Sequence, residues 1–253
     1  MNTPVVKWYG INALSISHGG GSFMIDPYVS RDEKKLHSPG EVDKYIADRP
    51  DFVLMTHAHW DHLPDMPYIL SKFDTVLYAS KTACNIMRAM NVPEHQLHEL
   101  VYGEELLLPG NVKVTALESR HMGITGEPEG YCDVPENFAP DEKGSWRCGE
   151  TFAFLIEVAG KRLLNIGSAN LHPAVMRGME CDYLLCGISR WKEGFPELLQ
   201  ENIKYKTLIP THHDEFRLKL EEFYLRDDME RLKKHIPGVN YMELPILEWT
   251  CLI

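Results

Sequence analysis

Seven consecutive residues, Thr56-His57-Ala58-His59-Trp60-Asp61-His62, hold three imidazoles and one carboxylate. They follow a short apolar run, Asp51-Phe52-Val53-Leu54-Met55, that reads as a buried strand. They precede Leu63-Pro64-Asp65-Met66-Pro67-Tyr68-Ile69-Leu70, where an early proline and apolar residues at helical spacing predict the start of a helix. The cluster therefore lies on the turn between a core strand and a helix. A turn at a sheet end is open to ligand and held by a rigid scaffold.

Imidazole suits zinc, iron, nickel and copper, and a carboxylate adds an oxygen ligand. His57 and His59 are two apart, so a turn can aim both rings at one metal, while Asp61 and His62 can serve a second close by. Two metals about 3.5–4 Å apart can clamp a substrate oxygen. A lone histidine here would read as a hydrogen-bonded turn residue. Three of them with an aspartate at this spacing read as a metal site.

The remaining sequence predicts the layers around that turn. Residues 5–30 read as two or three strands: Ala13-Leu14-Ser15-Ile16-Ser17-His18 alternates, a glycine-rich turn follows, and Phe23-Met24-Ile25-Asp26-Pro27 returns. Asp26 has two readings, a support for a ligand loop or histidine N–H, and a turn cap before Pro27. Residues 31–50 suggest a surface loop with a short helix over 41–47. Strands are expected over 75–79 and 96–100 with a helix over 81–90 between them, then a hairpin over 104–117. Such alternation of strand and helix points to an α/β layered fold. A second hairpin, 151–158 with 161–166, turns at Ala159-Gly160 and echoes the arrangement around Phe23 to Asp26, as two similar halves would. Further strands are expected over 181–189 and 207–210. Residues 215–236 carry Phe216, Leu220, Phe223, Met229, Leu232 and Ile236 at helical spacing, which predicts an amphipathic helix with a break near Arg226-Asp227-Asp228. The irregular stretch 122–150 reads as a lid or substrate wall carrying Tyr131, Phe138 and Trp146, with a plain surface insertion as the other reading.

With 253 residues, 44% hydrophobic and 25% charged, the chain fits one globular domain of the larger kind or two small ones, and a single domain over 1–253 is expected. No apolar run is long enough to span a membrane, and the N-terminus lacks a charged-then-apolar leader pattern. The six cysteines form no Cys-x-x-Cys pair, so a cytoplasmic protein with reduced thiols is expected. A net charge of −11 argues against nucleic acid as partner, because phosphate binding needs clustered Lys and Arg. A small-molecule substrate is expected, with no nucleic acid and no membrane, and the oligomeric state is open.

The stretch Thr56 to His62 resembles the His-x-His-x-Asp-His signature of the metallo-β-lactamase superfamily, in the Thr-led form of its hydrolases. The early Ile25-Asp26-Pro27 and the late Pro210-Thr211-His212 are similar to its lactonase-like branch, which includes ascorbate-6-phosphate lactonase. The resemblance implies an αββα four-layer sandwich with the metals at one sheet edge. It implies one metal on His57, His59 and His121, at the end of the strand 112–117, and a second on Asp61, His62 and His212, with His213 competing for the last place. Asp61 and His62 are then the catalytic pair. Asp26, Ser168 and Asp214 support the ligands, Asp214 by orienting His212 or His213. The pattern departs at Ser168, where most of the superfamily has an aspartate that bridges two metals. The implied cofactor is therefore one or two divalent ions, zinc first, with manganese or iron as alternatives. The implied reaction is attack of metal-generated hydroxide on a small ester, lactone or phosphodiester. The alternative is a non-hydrolytic metal-binding or sensor protein of the same fold.

Overall fold

The computed structural model describes residues 3–31, 36–123 and 130–253. The first half of the chain runs β1 (Val5–Trp8), β2 (Leu14–His18), β3 (Gly21–Ile25), α1 (Pro39–Tyr45), β4 (Phe52–Leu54), α2 (Met66–Lys72), β5 (Val76–Ala79), α3 (Lys81–Ala89) and β6 (Leu97–Glu99). The second half runs β7 (Glu105–Leu108), β8 (Val112–Glu118), β9 (Phe152–Val158), β10 (Lys161–Ile166), α4 (Pro173–Met176), β11 (Met179–Gly187), α5 (Phe195–Asn202), β12 (Ile203–Thr211), α6 (Asp228–His235) and β13 (Trp249–Cys251). One sheet has the order β13-β1-β2-β3-β4-β5-β6 and the other β12-β11-β10-β9-β8-β7. Each begins with antiparallel hairpins and continues with parallel strands, so the two halves share a plan: β1 to β3 are antiparallel and β3 to β6 parallel, β7 to β10 antiparallel and β10 to β12 parallel.

Side-chain alternation divides the interior into three layers. In β4, Phe52 and Leu54 point to the opposite sheet, while Val53 between them points to the helices. In β11, Tyr183 and Leu185 enter the core between the sheets, and Leu184 and Cys186 face the outer helices. The central core joins Ile16, Phe23 and Ile25 of one sheet to Val114, Phe154 and Ile156 of the other. Outside the first sheet lie α1 to α3 through Val42, Ile69 and Ile86; outside the second, α4 to α6 through Met176, Leu199 and Leu232. The architecture is the αββα sandwich.

Residues 215–236 depart from the sequence reading. Helix forms only over α6, after a single turn at Leu220–Glu222. The backbone between them folds back instead: the Glu215 N–H donates to the Tyr224 carbonyl, the Arg226 N–H to the His213 carbonyl, and Asp214 bridges to Leu225. The apolar spacing in this stretch thus reflects separate docking points. Of the expected wall, residues 124–129 lie outside the described residues. Trp146 is buried with Phe138 edge-on at 5.4 Å, whereas Tyr131 is 46% exposed and turns to Asn85 and Asp133. No helix among the described residues is long and apolar enough to cross a membrane.

Asp65, fully buried just before α2, ties that helix to the strand exit at Val29 and Ser30. It accepts both backbone N–H groups, at 2.7 and 2.9 Å, and the Ser30 hydroxyl. Burial outweighs these bonds and pushes its carboxyl up to about 6. A raised acid favours the folded state while it is protonated. This contribution is full below a pH of about 4 and is lost as the pH rises through about 6. Carboxyl-carbon NMR is expected to place the Asp65 midpoint near 6. A midpoint at or below about 4 would mean that the hydrogen bonds win.

Candidate metal centre

The turn Thr56 to His62 leaves the end of β4 and is fastened from three sides. The Met55 N–H donates to the Tyr78 carbonyl, the Phe152 N–H to the Thr56 carbonyl, and the Ala58 N–H to the Cys148 carbonyl. Gly167, at the end of β10, lets the second sheet approach: a Cβ there would stand 2.3 Å from the Thr56 hydroxyl oxygen.

Behind the turn, the fully buried Asp26 is a hub. Its carboxylate accepts the Thr56 N–H at 2.7 Å, the Thr56 hydroxyl at 2.5 Å and the Asn12 amide at 2.7 Å, and it meets His62 Nδ1 at 2.8 Å. Asn12 in turn accepts the Thr211 hydroxyl at 3.0 Å and the Asn165 amide at 3.2 Å, so the network crosses between the sheets. These bonds fix two tautomers. His62 donates from Nδ1 to Asp26, which leaves Nε2 as its lone pair. The Thr56 hydroxyl gives its one proton to Asp26 and so accepts from His57 Nδ1 at 3.0 Å. His57 Nε2 is then a bare lone pair, buried and without a hydrogen-bond partner.

Two groups of ligand atoms converge beside this hub. His57, His59 and His121 form one, and Asp61, His62 and His212 the other; within each, the ligand atoms lie within 4.8 Å of one another. The groups adjoin, with ring centroids of His57 and His62 4.0 Å apart. A third grouping, Asp26 with His57 and His62, is also within 4.8 Å. Its carboxylate is already occupied by four donors. The donor set of five imidazoles and a carboxylate, with an orphaned buried nitrogen among them, fits one or two divalent ions.

Electrostatics favours the ligand-competent forms of His57 and Asp61, while it raises His62 and so favours its proton. Burial, followed by the neighbouring imidazoles, holds His57 well below the ordinary histidine range, hence neutral. Burial alone would raise Asp61, but His62 and His212 together outweigh it and keep the carboxyl ionised. For His62, burial is outweighed by Asp26 and Asp61, which raise it.

Of the two candidates for the last position, His212 faces the site, with Nε2 3.3 Å from Asp61. His213 stacks on Trp8, centroids 5.0 Å apart and planes 6° from parallel. Asp214, expected beside one of these rings, instead forms a buried ion pair with Arg31 at 2.7 Å and accepts the Ile11 N–H at 2.9 Å. The Ile11 carbonyl accepts the His212 N–H at 2.6 Å, so Asp214 reaches the histidine through the backbone. Ile11, Asp26, Arg31, Arg190 and His212 all have φ between 42° and 55°, a conformation that costs non-glycine residues energy and persists only where surroundings enforce it. Gly10 is required beside them, since a Cβ would lie 2.2 Å from Arg31 Nη1.

Ser168 is buried at the cavity wall and accepts the Met122 N–H at 3.1 Å, which places no carboxylate there. Asn170 donates to the His121 carbonyl at 2.8 Å and so steadies the backbone of that residue. The cavity in front of the two groups has a volume of about 560 Å³, within the range of small-molecule sites. Trp60, Trp146 and Phe216 supply apolar walls, and Lys143, Arg147 and Arg190 supply cations. Sequence reading missed Asn12, Asn165 and Thr211, whose roles exist only between segments distant in the sequence. It also missed Arg190, which follows β11 and could have been noticed as a polar residue just past a buried strand.

A profile of the beta-lactamase superfamily domain matches residues 22–215. A UPF0173 metal-dependent hydrolase of Lawsonia intracellularis is 28% identical over 165 residues, 61% of this chain and 67% of the relative. One from Pyrobaculum neutrophilum is 22% identical over 246 residues, 96% of each chain. Among solved structures, Igni18, a metallo hydrolase of Ignicoccus hospitalis, superposes with a TM-score of 0.62 at 14% identity over 99% of both chains. At that identity the likeness shows the fold.

Proposed function

Because this chain belongs to the metallo-β-lactamase superfamily, we propose that it is a metal-dependent hydrolase of a small ester, lactone or phosphodiester. The observation that carries this reading is the pair of adjoining ligand groups at the floor of one small-molecule-sized cavity. In this reading His57, His59 and His121 hold one ion and Asp61, His62 and His212 the other, with zinc the first candidate and manganese or iron the alternatives. When bound, such ions supply Lewis acidity and bring the pKa of water down to about 7.

The chain's own residues do the rest. Asp26 holds the His62 proton at Nδ1 and presents Nε2 to the site. Thr56 does the same for His57. Asp61 remains ionised against His212, and the aromatic walls exclude water from the bound substrate. Metal-loaded protein assayed against small esters, lactones and phosphodiesters is expected to hydrolyse at least one class, with turnover lost on chelation and restored by metal. Metal-independent turnover, or none across the panel with both groups loaded, would overturn the reading. The second outcome favours metal binding without hydrolysis, the reading suggested by Ser168 standing where a bridging carboxylate would be useful.

A further inference from the structure

The cavity reverses the charge of the molecule around it. The chain carries a formal net charge of −11, yet among the described residues the cavity lining has three cations, Lys143, Arg147 and Arg190, against a single carboxylate, Asp61. Lys143 is engaged, its ammonium 4.0 Å from the centre of the Trp60 ring. Among the described residues, no hydrogen bond or ion pair engages the guanidinium of Arg147 or Arg190.

Both arginines are nevertheless held by their backbones. Arg147 immediately precedes Cys148, whose carbonyl accepts the Ala58 N–H from within the histidine turn. Its position is thus tied to the candidate metal groups. Arg190 lies in the turn just beyond β11 with φ 48°, and its N–H donates to the buried Asp228 at 3.0 Å. Asp228 is fixed by Arg226, which also donates to the Ser189 hydroxyl at 3.0 Å. A non-glycine residue locked in the left-handed region at a cavity wall, with its cation unpaired among the described residues, is the kind of strain that surrounds functional sites.

We infer that Arg147 and Arg190 form an anion-recognition wall, and that the molecule bound in this cavity carries a carboxylate or phosphate group on an apolar body. The inference rests on reading the cavity as the substrate site. A guanidinium offers paired donors that match either anion, and Trp60, Trp146 and Phe216 would cover the apolar part.

The test is calorimetric binding of phenylphosphonate, benzoate and neutral benzamide to metal-loaded protein, to Arg147→Gln, to Arg190→Gln and to the double variant, with metal content measured in each. The parent is expected to prefer at least one anion over benzamide. That preference should fall roughly tenfold or more in the double variant at unchanged metal content, as loss of charged hydrogen bonds requires. Arg→Lys at either position should restore part of it. Whichever anion wins identifies the group. Equal binding of all three probes by the parent would overturn the inference, as would an unchanged anion-to-neutral ratio in the double variant. Because binding is read without turnover, a protein that shows this ratio and hydrolyses nothing would refute the hydrolase reading alone.

Discussion

His59→Ala is expected to lose bound metal and hydrolysis together, each by more than 100-fold. Replacing a residue that only supports a ligand typically costs 10–100-fold in metal affinity, and removing a ligand costs more. The substitution should leave the fold in place. The turn is shaped by backbone bonds from His62 and Leu63 to the His59 carbonyl, at 3.0 and 3.1 Å, which need no imidazole. His57 and His121 would remain, too few to close their group. Elemental analysis beside the hydrolysis assay checks this. Full activity in a variant that has lost its metal would remove the basis of the proposed chemistry.

Asp26→Ala should damage both stability and metal affinity. The carboxylate is fully buried and serves four polar atoms: the Thr56 N–H, the Thr56 hydroxyl, the Asn12 amide and His62 Nδ1. Its removal leaves those donors buried without a partner, a loss of about 3–5 kcal/mol by the usual cost of breaking a buried charged network. For a chain of this size that lowers the melting temperature by roughly 6–20 °C. Metal affinity should also fall about 10–100-fold, because His57 and His62 lose their enforced tautomers. Asp26→Asn should retain part of the stability and less of the affinity, since an amide cannot accept from all four. Thermal unfolding and metal titration measure the two losses separately. An alanine variant within 1 °C of the parent would show that water replaces the carboxylate.

The sequence revealed most about features determined locally. The strand-turn-helix around Thr56 to His62 was readable because apolar period, proline and ligand spacing lie within twenty residues. His121 and His212 were reached by asking which strands end in a histidine, a question of topology that the superfamily resemblance helped to answer. The support network was hidden because Asn12 comes from the turn after β1, Asn165 from β10 and Thr211 from the end of β12, and no spacing links them. The contacts of Asp214 are hidden for the same reason. Adjacency to two histidines suggested a ring contact, while its partner, Arg31, lies at the far end of the chain. The stretch 215–236 misled through period alone, since Phe216 and Leu220 take apolar positions without the helix that would ordinarily place them there.

The two ligand groups are each assembled from both sheets. The turn after β4 gives His57, His59, Asp61 and His62; the strand ends beyond β8 and β12 give one imidazole to each group. Any ion seated in either group is therefore a clasp across the seam of the sandwich, and it can close only after the two layers have docked. Cation affinity and the adhesion of one layer to the other become a single thermodynamic quantity, since whatever binds only the docked state stabilises it by mass action.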